Sequence, residues 1–246
     1  MKKHKKHIII VGTGSKHENA PKRDKSSTYE IWGLNDIPTI MDVDLTFEMH
    51  DLTKRWHPEY FDMTSDEASE HAYGLMYKHI LDNSGTAKGY KYREVANMFN
   101  IEYGLAQTVK RVSQLGVPMY CVKQYEFENS DSKPIPIDIL AYPFDKIIKR
   151  FHNYFTNSVD YMLAYAAYNK VDKLDLYGID MALPHERIYE KPGVEFWLGI
   201  LLGQGVKIAI HCDEDYSKIL KTRDGRPYPE LEQNEDGSWF HGKEWF

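Results

Sequence analysis

A chain of 246 residues with 42% hydrophobic side chains can bury a core without disulfide or metal support, and its length fits one α/β domain better than two. Thirty-one Lys and Arg against 37 Asp and Glu leave a formal charge of -6, which argues against a general phosphate-backbone binder and so against a nucleic-acid partner. Two cysteines, Cys121 and Cys212, make neither a disulfide framework nor a zinc set, so a reducing, cytoplasmic compartment is expected, and no apolar run approaches the roughly 20 residues of a membrane span.

The basic start, Lys2 to His7, precedes an apolar run of only Ile8, Ile9, Ile10 and Val11. That run is too short for a secretion signal and right for a buried strand, and the basic residues read as a solvated terminus. The strand leads into Gly12-Thr13-Gly14-Ser15, and two further strands, 29–34 and 45–49, end at Asn35-Asp36 and His50-Asp51. Buried strands ending in small or polar residues predict a mostly parallel sheet with its ligand crevice at the carboxyl edge. Residues 62–92 are polar, with a helix over 66–81 and a break at 83–89, and form a candidate lid. A helix over 93–115 stops at Gly116, a strand follows at 118–122, and residues 129–136 read as a loop.

The last third has the clearest periodicity. Thr156-Asn157-Ser158 supplies capping residues, and Val159, Met162, Leu163, Ala166 and Ala167 then fall on one helix face. A strand at 174–177 ends in Gly178-Ile179-Asp180, Pro192 opens a helix that runs toward Gly205, and a strand at 206–210 closes the sheet. The acidic tail, 213–246, carries Trp239-Phe240 and Trp245-Phe246, aromatic pairs expected to dock on the domain or on a second copy, so a homo-oligomer is a candidate assembly.

Several of these strand ends can carry chemistry. Glycines after a buried strand let backbone N–H groups approach an anion, and the hydroxyls of Thr13 and Ser15 can add donors. A plain tight turn explains the same residues, since neither the dinucleotide nor the Walker fingerprint is complete. Asn35 and Asp36 can hydrogen-bond a ribose or base, or form an Asx-type turn. Thr156 and Ser158 at a helix start can hold a phosphate against the helix dipole, or simply cap it. After Gly178, Asp180 can orient a sugar hydroxyl, place a Mg2+ with a phosphate, or cap a turn. His185 is a general-base candidate because histidine titrates near neutral pH, and Arg187 and Lys191 can clamp phosphate oxygens, although a charged loop before a helix is usually just solvated. A protein-held transition metal on His50, Asp51, His57 and Asp180 matches no standard spacing.

The order of four of these stretches resembles the bacterial sialyltransferases. Those chains open with a strand and Gly-Asn-Gly-Pro-Ser, continue with a strand ending in Asn, then a Thr-Ser-x-x-Tyr-Met helix start, then a strand ending in Gly-Ile-Asp. The matching stretches here are Gly12 to Ser15, Gly33 to Asp36, Thr156 to Met162, and Tyr177 to Asp180. The glycine and strand pattern is also similar to the hydroxymethylpterin diphosphokinase (MptE-like) group. The Trp32-Gly33-Leu34-Asn35 stretch and Gly193 to Gly199 resemble bacteriophage proteins, which would place the chain in the host cytoplasm. The family's proline is missing after Gly14, and His185 follows Asp180 by only five residues.

The resemblance implies a single doubly wound, Rossmann-like domain over 1–246 with helices on both faces of the sheet. It implies nucleotide contacts from Gly12, Gly14, Ser15 and Asn35, phosphate contacts from Thr156 and Ser158, and His185 as base; read from the strand ends themselves, Thr13, Asp36 and Gly178 are further candidate nucleotide contacts and Asp180 a candidate catalytic residue. The expected activity is glycosyl transfer from a nucleotide sugar. The diphosphokinase likeness implies instead Mg2+-dependent diphosphate transfer or hydrolysis, and a non-catalytic nucleotide-binding protein is the third reading.

Overall fold

The computed structural model describes residues 6–24, 26–82, 91–212, 219–220, 231–233 and 239–241. Its centre is one parallel seven-stranded sheet with helices around it, the α/β Rossmann-like arrangement expected from the strand ends. The strands are β1 (His7–Val11), β2 (Tyr29–Leu34), β3 (Leu45–Glu48), β4 (Met119–Cys121), β5 (Ile139–Ala141), β6 (Lys173–Tyr177) and β7 (Lys207–His211), in the order β5-β4-β3-β2-β1-β6-β7. The chain moves outward from β1 to β5 and then crosses back to β6, so the reversal of strand order falls between β1 and β6. That is where an open α/β sheet has its crevice. By contacts the chain divides into two compact units, Met1–Pro21 with Asp145–Phe246, and Lys22–Phe144.

In the first unit, Ile8 to Val11 of β1 are buried, as are Leu174 and Leu176 of β6, because a parallel strand has both faces covered. Helix α5 (Ser158–Tyr168) buries Val159, Met162, Leu163, Ala166 and Ala167, the face predicted from spacing, and packs against α6 (Lys191–Gly203) through Val194, Trp197, Leu198 and Leu201. Trp197, wholly buried, donates its ring N–H to the Tyr154 carbonyl at 2.7 Å, which removes the cost of an unpaired indole donor. Among the described residues, three carboxylates are buried in this unit, those of Asp160, Asp175 and Asp180. Asp175 on β6, 4% exposed, takes hydrogen bonds from His7 of β1, from His211 of β7 at 2.9 Å and from Lys173 at 2.7 Å. Burial raises its pKa, and the three donors more than offset this and hold it below the ordinary carboxylate value, so the carboxylate ties three adjacent strands together.

In the second unit, Trp32, Phe47 and Met119 form the buried centre, with Trp32 and Phe47 ring centroids 5.6 Å apart. Here α1 (Pro58–Asp62), α2 (Ser65–Asp82) and α3 (Lys91–Leu115) join through Tyr60, Ala68, Phe99 and Ala106, so the described part of the candidate lid packs on α3. Residues 83–90, which hold the break expected at 83–89, lie outside the described residues. Gly116 ends α3 at φ +63, its N–H on the Val112 carbonyl at 3.0 Å, the left-handed stop read from the sequence. Strand β5 and helix α4 (Phe144–Arg150) were not expected. Two three-residue strands, Leu231–Gln233 and Trp239–His241, pair antiparallel, and apart from these and residues 219–220 the acidic tail lies outside the described residues.

Candidate functional site

The Gly-rich turn after β1 is built against the turn after β6. Gly12 donates its N–H to the Tyr177 carbonyl at 2.9 Å and Gly14 to the Gly178 carbonyl at 2.8 Å. A Cβ on Gly12 would lie 2.7 Å from the Gly178 carbonyl oxygen, and one on Gly14 would lie 2.6 Å from the Asp180 carboxylate. Gly178 itself sits at φ +62, where a side chain strains the backbone. The glycines are therefore required by the approach of two turns of the protein itself. Ser15 completes the contact, its N–H and hydroxyl donating to the two Asp180 oxygens at 2.6 and 2.9 Å. An anion at this turn competes with the Asp180 carboxylate for the Ser15 donors. A Mg2+ on Asp180 competes with Ser15 in turn. Thr13 is exposed beside them, and His17 closes the turn through Nδ1 on the Gly14 carbonyl at 2.9 Å.

The start of α5 is equally occupied. Asn157 is the cap, its Oδ1 accepting from the N–H groups of Val159 at 2.8 Å and Asp160 at 3.2 Å. Thr156 donates its N–H to Asp160 at 2.7 Å, and its hydroxyl lies 3.0 Å from that carboxylate and 2.9 Å from the Glu190 carbonyl. Ser158 is half-buried in the first turn. Burial pushes the Asp160 carboxyl up to about 6, against the pull of the Thr156 and Asn157 hydrogen bonds. A side chain at Gly193 on α6 would collide with the Asp160 carboxylate and the Thr156 hydroxyl, so the two helix starts fit only with glycine there.

The turn Glu186–Glu190, wound as a π-helix, leads into α6. His185 before it is exposed, with 62% of its side chain accessible and Glu190 at 3.9 Å as its nearest carboxylate. Glu190 is raised by burial and by Glu186. Lys191, mostly buried, lies 3.4 Å from Glu195. The side chain of Arg187 lies outside the described part of the structure.

In the second unit the carboxyl ends of β2 and β3 open into a cavity of about 510 Å³. Asn35 stands at its edge in the left-handed region, φ +49, a conformation asparagine tolerates better than other side-chain-bearing residues. Its N–H continues the sheet onto the Phe47 carbonyl at 2.9 Å, while its Oδ1 is buried with no hydrogen-bond partner among the described residues. Such an acceptor costs about 1–3 kcal/mol unless something donates to it. Asp36, exposed, and Arg55 also line the cavity.

Glu48, the last residue of β3 and 6% exposed, accepts from His50 Nδ1 and, at 3.3 Å, from the His50 backbone N–H. Both residues line the cavity. Its far wall is α3, through Asn100, Ile101, Gly104 and Thr108. Space is open where a Gly104 side chain would stand, so a glycine that weakens the helix by about 1 kcal/mol keeps the cavity wide without any packing need of its own. Asp51 caps the turn Leu52–Lys54 by accepting from the Thr53 N–H at 3.1 Å. Cys121 behind Glu48 is buried and its thiol is pushed up to about 12, by burial first and by the Glu48 charge second, which keeps it protonated and inert.

Asn35 and Asp36, the expected nucleotide contacts, line this cavity; Glu48, Arg55 and Thr108, which also line it, were not among the residues expected from the sequence, and His50 was weighed there only as a metal ligand. The local signal for the pair is a carboxylate at the end of the short strand Leu45-Thr46-Phe47, with histidine two residues on, the spacing that puts both on one side of an extended chain. Among the described residues no helix is long and apolar enough to cross a membrane, and no group of three or more His, Cys, Asp or Glu is placed to hold a metal.

No family model matches the chain, and no curated protein matches it. Among solved structures it is similar to the sialyltransferase CstII from Campylobacter jejuni in complex with a substrate analogue, cytidine-5'-monophosphate, at 14% identity over 88% of this chain and 82% of that chain, with a TM-score of 0.40.

Proposed function

We propose that the protein binds a nucleotide in the cavity beside Asn35 and transfers a glycosyl group from a nucleotide sugar. The observation that carries this reading is the cavity of about 510 Å³ at the carboxyl ends of β2 and β3, lined by Asn35, Asp36 and Arg55 and left open at Gly104. A largely preformed cavity with a few polar lining groups is the usual shape of a small-molecule site, and Asn35 and Asp36 in its lining suit an amino-bearing base or a ribose hydroxyl. Arg55 supplies a planar cation suited to phosphate oxygens. In this reading Gly12, Gly14, Gly178, Ser15 and Asp180 shape the β1–β6 edge, Thr156, Asn157 and Asp160 fix the start of α5, and His185 is one of two candidate bases.

A thermal-shift panel of cytidine, uridine, guanosine and adenosine nucleotides and their sugar conjugates tests the reading. One nucleotide class should raise the melting temperature, by about 2.7 kcal/mol of stabilisation at a hundredfold excess over Kd. No response to any of them counts against the proposal.

A further inference from the structure

The geometry points to Glu48 and His50 as an acid–base pair, with His50 Nε2 as the proton acceptor of the transfer and Glu48 as its positioning residue. The inference rests on the cavity receiving a nucleotide sugar together with an acceptor hydroxyl.

Three features of the pair support it. The pair is oriented: Glu48 is nearly inaccessible, and its Oε1 meets both the ring Nδ1 and the backbone N–H of His50, which leaves the imidazole little freedom to rotate. It is polarised: a carboxylate accepting at Nδ1 fixes the neutral ring with its proton there, so Nε2 carries the lone pair. It is also placed where chemistry can occur, since both residues line the cavity and 38% of the His50 side chain is accessible, while the carboxylate behind it is 8% accessible. A histidine held only for packing needs none of this. His185 is 62% accessible and has a carboxylate no nearer than 3.9 Å, so nothing fixes its ring to the same degree.

The step balances as follows. The acceptor O–H bond breaks and its proton passes to Nε2. The oxygen's electron pair forms the new bond to the anomeric carbon, whose bond to the phosphate oxygen breaks, and that electron pair departs with the nucleotide. The imidazolium left behind is held by the Glu48 carboxylate until it returns the proton to solvent.

The test uses the full chain. Long-range proton–nitrogen NMR of His50 at neutral pH should show Nδ1 protonated and Nε2 bare, and Glu48→Gln, whose amide can donate to Nδ1, should move the ring toward the opposite tautomer. A wild-type ring protonated at Nε2 overturns the pair whatever the activity. With the nucleotide sugars of the panel, His50→Gln and Glu48→Gln should each lower kcat about a hundredfold or more and leave nucleotide affinity, read by calorimetry, within about threefold. If nucleotide binds and His50→Gln turns over normally, the pair is wrong and the cavity stands. If the wild type binds nucleotide without turnover, the transfer step is wrong. If it binds none, the nucleotide reading itself fails, and the tautomer alone judges the pair.

Discussion

Ser15 gives both its backbone N–H and its hydroxyl to the carboxylate of Asp180, at 2.6 and 2.9 Å, and so joins the turns that follow β1 and β6. Ser15→Ala should cost about 1 kcal/mol of stability, and Asp180→Ala more, because it leaves the Ser15 N–H without its acceptor. The double variant should cost less than the sum, with a coupling of about 0.5–3 kcal/mol in urea denaturation. Simple additivity would mean that the contact does not hold the turns.

Asp160 makes stability depend on pH in an unusual direction. Its carboxyl is pushed from 3.8 to about 6 in the folded chain, so between those values the folded state binds a proton that the unfolded state has lost. By linkage, stability falls as pH rises through this window, by about 3 kcal/mol in all. Asp160→Asn, which mimics the protonated acid, should flatten the profile between pH 4 and 6.5. Asp175 acts in the opposite sense: its pKa is lowered, so its contribution is present above the ordinary value of 3.8 and is lost as pH falls through the folded value. Urea midpoints across pH 3 to 8 separate the two, and a profile unchanged in Asp160→Asn contradicts the first assignment.

Gly104 offers a test that does not disturb polar chemistry. Gly104→Ala should stabilise α3 by about 1 kcal/mol, because the helix gains propensity and the new Cβ meets open space. Gly104→Phe should fold and abolish nucleotide binding by filling the cavity. A melting curve and a titration of the same preparation check both, and undiminished binding by Gly104→Phe would move the ligand elsewhere.

Removal of divalent ions separates glycosyl transfer from the diphosphate chemistry that the sequence also suggested. Turnover of the nucleotide sugar should persist in excess chelator, since the proton acceptor, His50, is a side chain of the protein. Complete and reversible loss would favour the Mg2+-dependent reading.

The sheet was legible because the strand before Gly12 is a continuous apolar run, and those before Asn35 and Gly178 are mostly apolar, each closed by small or polar residues. Helix α5 was equally legible, with Val159, Met162 and Leu163 on one face behind a polar cap. Strand β5 was hidden by its length of three residues and by the prolines at 134 and 136 just before it, which read as loop. The cap of α5 was placed on the right triplet, yet its chemistry depends on the Glu190 carbonyl, 33 residues from Asn157, a distance no local pattern reports. For the same reason the Gly-rich turn looked like an anion cradle. The sequence shows Gly12, Gly14 and Ser15 together, while the residues that take their donors, Tyr177, Gly178 and Asp180, arrive from the far side of the chain. The Glu48–His50 pair is local, two residues apart at a strand end, but the cavity it shares with Asn100, Gly104 and Thr108 of α3 is brought to it only by the fold.

Calorimetric titration of the full chain with the nucleotide selected by the thermal-shift panel puts the proposed nucleotide contact of Asn35 to the test. Asn35→Gly preserves the left-handed backbone while deleting the acceptor, so folding should be retained. The predicted result is measurable wild-type binding weakened about tenfold or more in Asn35→Gly and largely kept in Asn35→Asp, which retains the acceptor oxygen. Equal affinity in the wild type and Asn35→Gly would contradict it.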